Sequence, residues 1–412
     1  MQSDESEINA LDERAQGRAL LGEAAPRARL VSSSRYRRHS YGPNHPLGIP
    51  RVSLTQDLIT AYGALAAHEY VAARQATRDE LAWFHTADYI AAMQACEAAG
   101  KVLSEFRTRH YIGNFENPYF EEFFSTPATA TGASIQAAEL VLSGMCAFAP
   151  AGGMHHARAD AARGFCFFND TVLAVMRLRA QGWRVLYIDI DAHHGDGVEA
   201  AFADAPDVVT FSAHMDTEYA YPFSGGALDC VGVHANHVNL PLPKGVTDAE
   251  YASVLAPILD RLVAVFEPEA IVLQAGTDAI FMDPLGKFEL TTQGFLALVA
   301  MILERAPRHA DGTPAVVVTG GGGYHPLALA RAWTGLWAVL SARCLPEAMP
   351  PAGRAVLEAV EWDMDEDEPH FPRLFAARTD APRAQTVRAE VLARGDALLG
   401  RHPRLARRAA TR

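Results

Sequence analysis

Four short apolar runs, each followed by polar residues or glycines, limit the folds open to this chain more than any other feature. Strands of parallel sheets that are covered on both faces are nearly continuous in apolar, β-branched residues. Segments with helical spacing lie between the runs and provide the crossover connections that parallel strands require. We therefore predict an α/β fold with a central, mostly parallel sheet flanked by helices. The runs are CAFAP (146–150), WRVLYIDID (183–191), EAIVLQAGTD (269–278) and PAVVVTGGGGY (314–324).

The same periodicities predict further elements. DVVTFSAH at 207–214 has the composition of another strand. Apolar residues recur at helical spacing in seven other segments. The predicted helices are 54–73, 81–99, 128–142, 169–181, 248–265, 291–305 and 327–340.

Length and composition indicate one large domain with two extensions. Of 412 residues, 49% are hydrophobic and 21% charged, which is ample material for a core. We predict a flexible tail over 1–28, the main domain over 29–372, and an arginine-rich extension over 373–412 that either packs on the body as a helix or stays mobile. The polar amino terminus lacks a signal core and no segment has the length of a membrane span, so we expect no membrane partner.

The net charge and the cysteines indicate which binding partners and which cell compartment to expect. The net charge of −13 argues against nucleic acid, because phosphate binding needs a basic surface, and it suits a cationic substrate better. The segment 362–371, WDMDEDEPHF, is strongly acidic, as solvated surfaces often are. Five cysteines without CxxC spacing are typical of reduced thiols in the cytoplasm. A homo-oligomer is left open.

The segment DIDAHHGDG, residues 189–197, carries the densest group of metal-binding side chains. If the strand continues through it, Asp189, Asp191 and His193 lie on one face, because side chains alternate along a strand. Carboxylate and imidazole groups suit a divalent ion such as zinc, and a catalytic zinc site takes three protein ligands. We expect two of them here. The alternative is that the aspartates cap the following helix.

The third metal ligand is predicted to be Asp278. It directly follows a predicted strand end, whereas Asp283 lies five residues further on, before Pro284, where a turn residue is expected. Helix capping is again the alternative for Asp278. Because the carboxyl ends of parallel strands meet at one edge of the sheet, these aspartates should converge.

An adjacent histidine pair, His155 and His156, follows two glycines at the end of the first run. Glycines allow the sharp turn that would bring both imidazoles to the same edge, and hydrolysis of an amide needs such bases. Asp189 and Asp196 exceed the number of ligands required. Each could accept the Nδ1 hydrogen of one histidine and fix its orientation. The alternative is that the histidines are ordinary core residues.

Tyr324 ends a run of four glycines that begins at Gly320. A glycine segment that presents one phenol beside a metal would supply an electrophile for an oxyanion. The run could instead be a phosphate loop, but it lacks the GK[ST] ending, and dinucleotide GxGxxG spacing is a weak signal. We therefore favour a role for Tyr324 in the same site.

Five segments together resemble the zinc-dependent histone deacetylase superfamily, over roughly residues 35–345. NFENPYF and FELTTQGF are similar to the bacterial acetoin utilisation deacetylases within it. The resemblance implies the arginase and deacetylase fold, a three-layer α/β sandwich. The five segments, in chain order, are GGMHHA, GFCFFND, YIDIDAHHGDGVEAAF, QAGTDAIFMDP and GGGGY.

The resemblance also implies roles for single residues. The family's zinc ligands match Asp191, His193 and Asp278. Its general base and acid matches His156, with His155 as the electrostatic partner, and its oxyanion donor matches Tyr324. The carboxylates that pair with the two histidines match Asp189, for His155, and Asp196, for His156.

The family's substrate site is a narrow tunnel that grips the methylene chain of a lysine. Here Gly164, Phe165 and Tyr221 match its walls, Leu285 lies near its rim, and Glu116 resembles the acidic residue at its mouth. Arg51 matches an arginine of the family's internal cavity. Tyr221 departs from the family, where phenylalanine is usual, and YPFSGG replaces a more regular turn; both differences bear on acyl preference. The family also binds potassium near Asp189, Asp191, His193 and Ser212, so a structural potassium ion is expected.

The sequence thus predicts a zinc-dependent hydrolase that removes acetyl or other acyl groups from lysine side chains of proteins or peptides. A small acetylated polyamine is the alternative substrate, favoured by the acidic balance. A binder of acylated lysine without turnover and an arginase-like dimetal enzyme are weaker alternatives. The second would need more aspartates at these strand ends than the sequence provides.

Overall fold

A single eight-stranded sheet forms the centre of the protein. The computed structural model describes residues 27–38, 41–42, 44–362, 369–381, 383 and 385–406. All strand pairings between the named strands of this part of the chain are parallel, so the predicted α/β class is confirmed. The strands are β1 Ala28–Ser32, β2 Tyr70–Ala72, β3 Cys146–Ala149, β4 Val185–Asp189, β5 Val208–Met215, β6 His237–Leu242, β7 Ala270–Gln274 and β8 Val316–Thr319, in the spatial order β2-β1-β3-β8-β7-β4-β5-β6.

Helices connect the strands, and most lie where the periodicity predicts them. In chain order they are α1 Arg51–Ala61, α2 Arg78–Leu81, α3 Ala87–Ala99, α4 Ser104–Arg109, α5 Ser125–Leu142, α6 Asp170–Arg179, α7 Asp196–Ala201, α8 Asp248–Phe266, α9 Thr292–Arg305, α10 Pro326–Leu340, α11 Pro351–Glu358, α12 Phe371–Leu374 and α13 Ala389–Arg401.

Two predicted helices are wrong in extent. The helix predicted over 54–73 ends at Ala61, because Gly63 takes a left-handed conformation (φ 64°) that closes the helix; residues 70–72 then form β2. The helix predicted over 81–99 is two helices. The Thr86 side chain accepts a hydrogen bond from the Tyr89 backbone and starts α3 anew.

The sheet is covered on both faces by separate cores. Along β4, Leu186 and Ile188 pack into one hydrophobic cluster, while Val185 and Tyr187 pack into the other. This alternation follows from the two-residue period of a strand, and burial of each such side chain is worth about 1.5–3 kcal/mol. Continuous apolar runs at β4, β7 and β8 are therefore explained by the two cores.

The carboxyl ends of four neighbouring strands are in register. Ala149 of β3 pairs with Thr319 of β8, which pairs with Gln274 of β7, which pairs with Asp189 of β4. The chain segments that follow these four strands are the polar and glycine-containing segments described in the sequence analysis. Because the strands are adjacent and parallel, those segments must meet at one edge of the sheet.

The carboxy-terminal segment that the structure describes packs on the body. Helix α13 lies against α8 and β6, and Arg388 forms an ion pair of 2.6 Å with the buried carboxylate of Glu250. Residues 1–26 of the predicted tail and residues 363–368 of the acidic segment fall outside the described residues, whereas Ala28, the last residue of the predicted tail, already belongs to β1. The domain boundaries stay a prediction. None of the described helices combines the length and the apolar character of a membrane span.

Candidate active site

The three predicted metal ligands converge at the carboxyl ends of β4 and β7. The Nδ1 atom of His193 lies 2.9 Å from Oδ2 of Asp278 and 3.3 Å from Oδ1 of Asp191. One ligand atom from each of the three lies within 4.8 Å of the others, and among the described residues no other group of histidine, cysteine or acidic side chains does so. Asp191 and Asp278 are buried. These three side chains form a candidate site for one metal ion.

The charges of this cluster fit a divalent cation. Burial and the neighbouring Asp191 carboxylate raise the pKa of Asp278 to about 7, which reflects the cost of holding two buried carboxylates together. Burial lowers the pKa of His193, but the two carboxylates outweigh it and raise that pKa to about 10. A divalent cation would relieve the repulsion between the carboxylates. Carboxylate oxygen and imidazole nitrogen are both zinc ligands in proteins, and a catalytic zinc site takes three protein ligands.

Asp189 is not one of the three converging ligands, although it lies next to them, since its Oδ1 accepts the Asp191 amide at 3.1 Å. The strand β4 ends at Asp189, and Asp191 and His193 lie in the bend that follows it. Asp189 Oδ2 instead accepts hydrogen bonds from Nδ1 of His155 (2.8 Å) and the hydroxyl of Tyr187. The carboxylate therefore faces the histidine pair.

Each histidine of the pair has its own carboxylate. His155 bonds Asp189 as just described, and Nδ1 of His156 lies 2.7 Å from Oδ1 of Asp196. Both imidazoles are buried, and their ring centroids are 4.0 Å apart. The side chain of Asp196 comes from the first turn of α7. The structure thus brings together the pairs that the resemblance implies.

The two imidazoles have opposite electrostatic environments. Burial and the neighbouring His155 lower the pKa of His156 to about 3, although Asp196 raises it in part. Burial also lowers the pKa of His155, but the Asp189 and Asp191 carboxylates outweigh it and raise that pKa to about 9. At neutral pH His156 is therefore a neutral base, and His155 carries a positive charge beside it.

The glycine run after β8 lies directly against the metal cluster. The Gly322 amide donates to Oδ2 of Asp191 at 2.7 Å, and a side chain at Gly322 would collide with Oδ2 of Asp278. Glycine is required here by close approach of the backbone to both carboxylates. The run ends at Tyr324, whose amide donates to Oδ2 of Asp283 at 2.7 Å. Burial raises the pKa of Tyr324 well above its usual value, so its hydroxyl stays a donor.

Aromatic rings flank the histidines and Tyr324. Phe165 lies edge-on to Tyr324 with centroids 5.9 Å apart, and Tyr221 lies edge-on to His156 at 4.7 Å. Between them, Gly164 has φ 51°, and a side chain there would strike the rings of His156 and Tyr221. These three predicted wall residues are therefore adjacent to the catalytic candidates.

The other two predicted substrate residues lie further out. Glu116 Oε1 accepts hydrogen bonds from the Tyr221 hydroxyl, at 3.1 Å, and from the Gly164 amide. Leu285 is exposed and, with Tyr324, lines a cleft of about 1300 Å³. Tyr221 is thus tied to the acidic residue, a contact that phenylalanine could not make.

Arg51 is buried beside the glycine run, where its guanidinium donates to the Gly321 carbonyl at 2.6 Å. It also lines a cavity of about 100 Å³ with Tyr41, Leu47 and Phe167. This placement agrees with the internal cavity that the resemblance implies for Arg51. The arginine connects that cavity to the backbone that carries Tyr324.

Several residues that hold the site in place were not predicted from the sequence. Gln274 Nε2 donates to Oδ2 of Asp191 at 2.9 Å, and Asp170 accepts the Gly153 and Met154 amides that begin the histidine loop. Asp283 was expected to be a turn residue, and it does accept the Leu285 and Gly286 amides, but it also holds Tyr324. A polar residue that ends an otherwise apolar strand was the available signal for Gln274.

Comparison with known proteins agrees with this geometry. Residues 45–340 match the histone deacetylase domain family. Histone deacetylase 8 of Xenopus tropicalis is 36% identical over 306 residues, which cover 73% of this chain and 80% of the relative. Histone deacetylase 1 of Homo sapiens is 34% identical over 317 residues, or 75% of this chain and 64% of that protein.

A solved structure is similar over nearly the whole described fold. The crystal structure of a histone deacetylase homolog from Aquifex aeolicus has a TM-score of 0.84 and 38% identity, and the match covers 90% of this chain and 99% of that one. The fold and the site define a hydrolase of the α/β class. This chain belongs to the histone deacetylase family.

Proposed function

We propose that this protein is a zinc-dependent hydrolase that removes acetyl or other acyl groups from lysine side chains of proteins. The observation that carries the proposal is the convergence of three metal-ligand atoms, two of them from buried aspartates, within 4.8 Å of one another, next to a neutral histidine and a protonated tyrosine. Within the family, we propose membership of the bacterial acetoin utilisation deacetylases, supported by NFENPYF and FELTTQGF.

The residues of the site divide the chemistry of amide hydrolysis among them. Asp191, His193 and Asp278 would hold the zinc ion, which when bound polarises an acyl carbonyl and acidifies a water molecule. His156 donates its Nδ1 hydrogen to Asp196, so its Nε2 lone pair is available to take the proton of the attacking water. The same nitrogen then returns the proton to the leaving lysine amine.

His155 and Tyr324 stabilise the negative charge that develops during the attack. The imidazolium of His155 lies beside His156 and is held by Asp189. The Tyr324 hydroxyl can donate a hydrogen bond to the oxyanion, and its buried position strengthens that bond. Phe165 and Tyr221 exclude water from the lysine chain between them.

We also propose a structural potassium ion, a cellular location and a binding partner for this protein. The fold places Asp189 beside Ser212 in the neighbouring strand β5, where we propose that backbone oxygens bind a potassium ion. The five cysteines are scattered without CxxC spacing, which supports a cytoplasmic location. We propose acylated protein as the partner, with neither nucleic acid nor membrane, and leave a homo-oligomer open.

A small acetylated polyamine is the second candidate substrate. The net charge of −13 and the Glu116 carboxylate beside Tyr221 favour a cationic substrate. Metal-stripped and zinc-restored protein should therefore be assayed against peptides with acetyl and longer acyl groups on lysine, and against acetylspermidine. We expect acetate release from the acetyl-lysine peptide only after zinc is restored.

Other outcomes of this assay would change the conclusion. Faster turnover of acetylspermidine than of the acetyl-lysine peptide would favour the polyamine. Absence of acetate release despite bound zinc would indicate a protein that binds acylated lysine without hydrolysis.

The activity should decline as the pH rises through about 9. The pKa of His155 is raised to about 9, so its positive charge is present at neutral pH and is lost above that value. His156 stays neutral and basic throughout this range, because its pKa is lowered to about 3. The pH profile of kcat/KM for an acetyl-lysine peptide measures the decline.

The variant Asp189→Asn provides the comparison for this pH dependence. It removes the nearest carboxylate that raises the pKa of His155, so the alkaline decline should move to lower pH. A midpoint that stays unchanged in Asp189→Asn would show that another group controls the decline.

A further inference from the structure

The Asp196 carboxylate, which pairs with the candidate base His156, has a second charged partner. Nη2 of Arg158 donates to Oδ2 of Asp196, and Nη1 of Arg158 donates to the Asp196 backbone carbonyl at 3.0 Å. The other carboxylate oxygen, Oδ1, faces Nδ1 of His156 at 2.7 Å. One guanidinium group therefore holds both the side chain and the main chain of Asp196.

The carboxylate of the neighbouring histidine is held differently. Asp189 lies at the end of the buried strand β4, and its Oδ2 accepts the hydroxyl of Tyr187, from the same strand, besides Nδ1 of His155. The Asp189 side chain is fully buried, whereas the Asp196 side chain is 13% exposed. Because a carboxylate that reaches solvent can turn towards water, Asp196 needs a restraint that Asp189 obtains from its own strand.

Arg158 lies two residues after His156 on the same loop, and hydrogen bonds fix the backbone of that loop. The Arg158 amide donates to the Ala161 carbonyl at 2.9 Å, and the Ala159 carbonyl accepts the Thr86 amide at 2.9 Å. The guanidinium therefore extends from a backbone of defined position. The loop supplies both the base and the group that restrains its carboxylate.

The charge of Arg158 is better suited to orienting Asp196 than to stabilising the fold. Burial raises the pKa of Asp196, but the hydrogen bond from His156 and the charges of His156 and Arg158 outweigh it and hold that pKa below its usual value. A bond between a guanidinium and a carboxylate is directional and stronger than a neutral hydrogen bond. The Arg158 side chain is 36% exposed, and ion pairs at such positions contribute little to stability.

We infer that Arg158 is a positioning residue for hydrolysis, which holds the Asp196 carboxylate in the orientation that receives the Nδ1 hydrogen of His156. The inference rests on the proposed function, in which Nε2 of His156 takes the proton of the attacking water. If the carboxylate turned away, the imidazole could rotate or carry its hydrogen on the other nitrogen, and its lone pair would no longer face the water. Arg158 therefore acts on the reaction only through Asp196.

The variant Arg158→Ala tests this role in protein loaded with zinc. We expect kcat on an acetyl-lysine peptide to fall roughly tenfold, a part of the hundredfold or more that a positioned base contributes. KM should stay within about twofold, because the change does not touch the groups that bind the lysine chain. Zinc content and the melting temperature should equal those of wild type. Arg158→Lys should lose less, since lysine keeps the charge and one donor but not the planar fork.

Arg179→Ala is the matched control. Arg179 also forms two bonds of 2.8 Å with one carboxylate, that of Asp207, and its side chain is 31% exposed. It lies at the opposite end of α6 from Asp170, the residue that holds the histidine loop. We expect this variant to keep the kcat and KM of wild type.

Two further measurements separate an effect through Asp196 from a general loss of structure. Because Arg158 is partly exposed, guanidinium ion at millimolar concentration should restore the kcat of Arg158→Ala severalfold, whereas sodium chloride at the same ionic strength should not. Asp196→Asn alone should lower kcat more strongly than Arg158→Ala. In that background, Arg158→Ala should cause less than about a twofold further loss, because the two residues act as one unit.

Each alternative result has a separate meaning. The inference is overturned if Arg158→Ala keeps the kcat of wild type, if Arg179→Ala loses as much, or if the full loss recurs in the Asp196→Asn background. A loss that guanidinium ion does not restore, or that comes with lower zinc content or a lower melting temperature, would indicate a structural role and also overturn it. If wild type loaded with zinc hydrolyses no acyl-lysine peptide, the proposed function itself fails, and the inference falls with it.

Discussion

Replacement of Asp278 by asparagine is expected to abolish zinc binding and to lower kcat/KM on an acetyl-lysine peptide by about a thousandfold or more. The change keeps the shape of the side chain but removes a charged oxygen donor 2.9 Å from Nδ1 of His193. A bound zinc ion contributes several kcal/mol of transition-state stabilisation, and each 1.36 kcal/mol is tenfold in rate. Metal content by mass spectrometry, measured beside the kinetics, tests both parts.

Asp283→Asn is the matched control for this experiment. Asp283 is also a buried aspartate in the same loop, but its oxygens accept the amides of Leu285, Gly286 and Tyr324. We expect this variant to retain one zinc ion per chain and to lose activity only through misplacement of Tyr324. Full zinc content in Asp278→Asn, or loss of zinc in Asp283→Asn alone, would show that the third ligand is assigned to the wrong aspartate.

Replacement of Tyr324 by phenylalanine is expected to lower kcat by about a hundredfold to a thousandfold, the usual effect of removing an oxyanion donor. KM and the melting temperature should change little, because the ring and the backbone bond to Asp283 remain. Steady-state kinetics on an acetyl-lysine peptide and a thermal unfolding curve provide the measurements.

Tyr221→Phe removes a hydroxyl from the same site without touching the oxyanion. Its hydroxyl donates to Glu116, and its ring stays as a wall against His156. We expect less than a tenfold change in kcat. The assigned role of Tyr324 would be refuted if Tyr324→Phe were as active as wild type, or if the two variants lost the same activity.

The fold was predictable from the sequence because its strands are buried on both faces. Apolar runs such as VLYID of β4 are continuous, and each is followed by polar residues. The strand HVNLPL of β6 was missed because it begins with a histidine and contains a proline, both unusual in a strand interior. Strand β2 has three residues, too few to show any period.

The site was predictable where its chemistry lies in one short segment. Asp191 and His193 are two residues apart, and Asp278 follows a recognisable strand end. The pairing of Asp189 with a histidine was also predictable, since it is a carboxylate beyond the three ligands that a metal needs, and Oδ2 of Asp189 lies 2.8 Å from Nδ1 of His155. Gln274 bonds a residue 83 positions away in the sequence, and Asp170 bonds residues at least 16 positions away. Such long-range contacts leave no local pattern in the sequence.

The glycine run after β8 has a consequence for the tolerance of the gene to mutation. Gly321 and Gly322 lie against Gln274 and Asp278 so closely that even the methyl group of alanine has no space. Any single-base change at the first or second position of a glycine codon introduces a side chain or a stop, whereas changes at the third position are silent. Natural variation and random mutagenesis should therefore leave glycine at these two positions, with only silent changes in their codons, whereas residues at exposed helix positions vary freely.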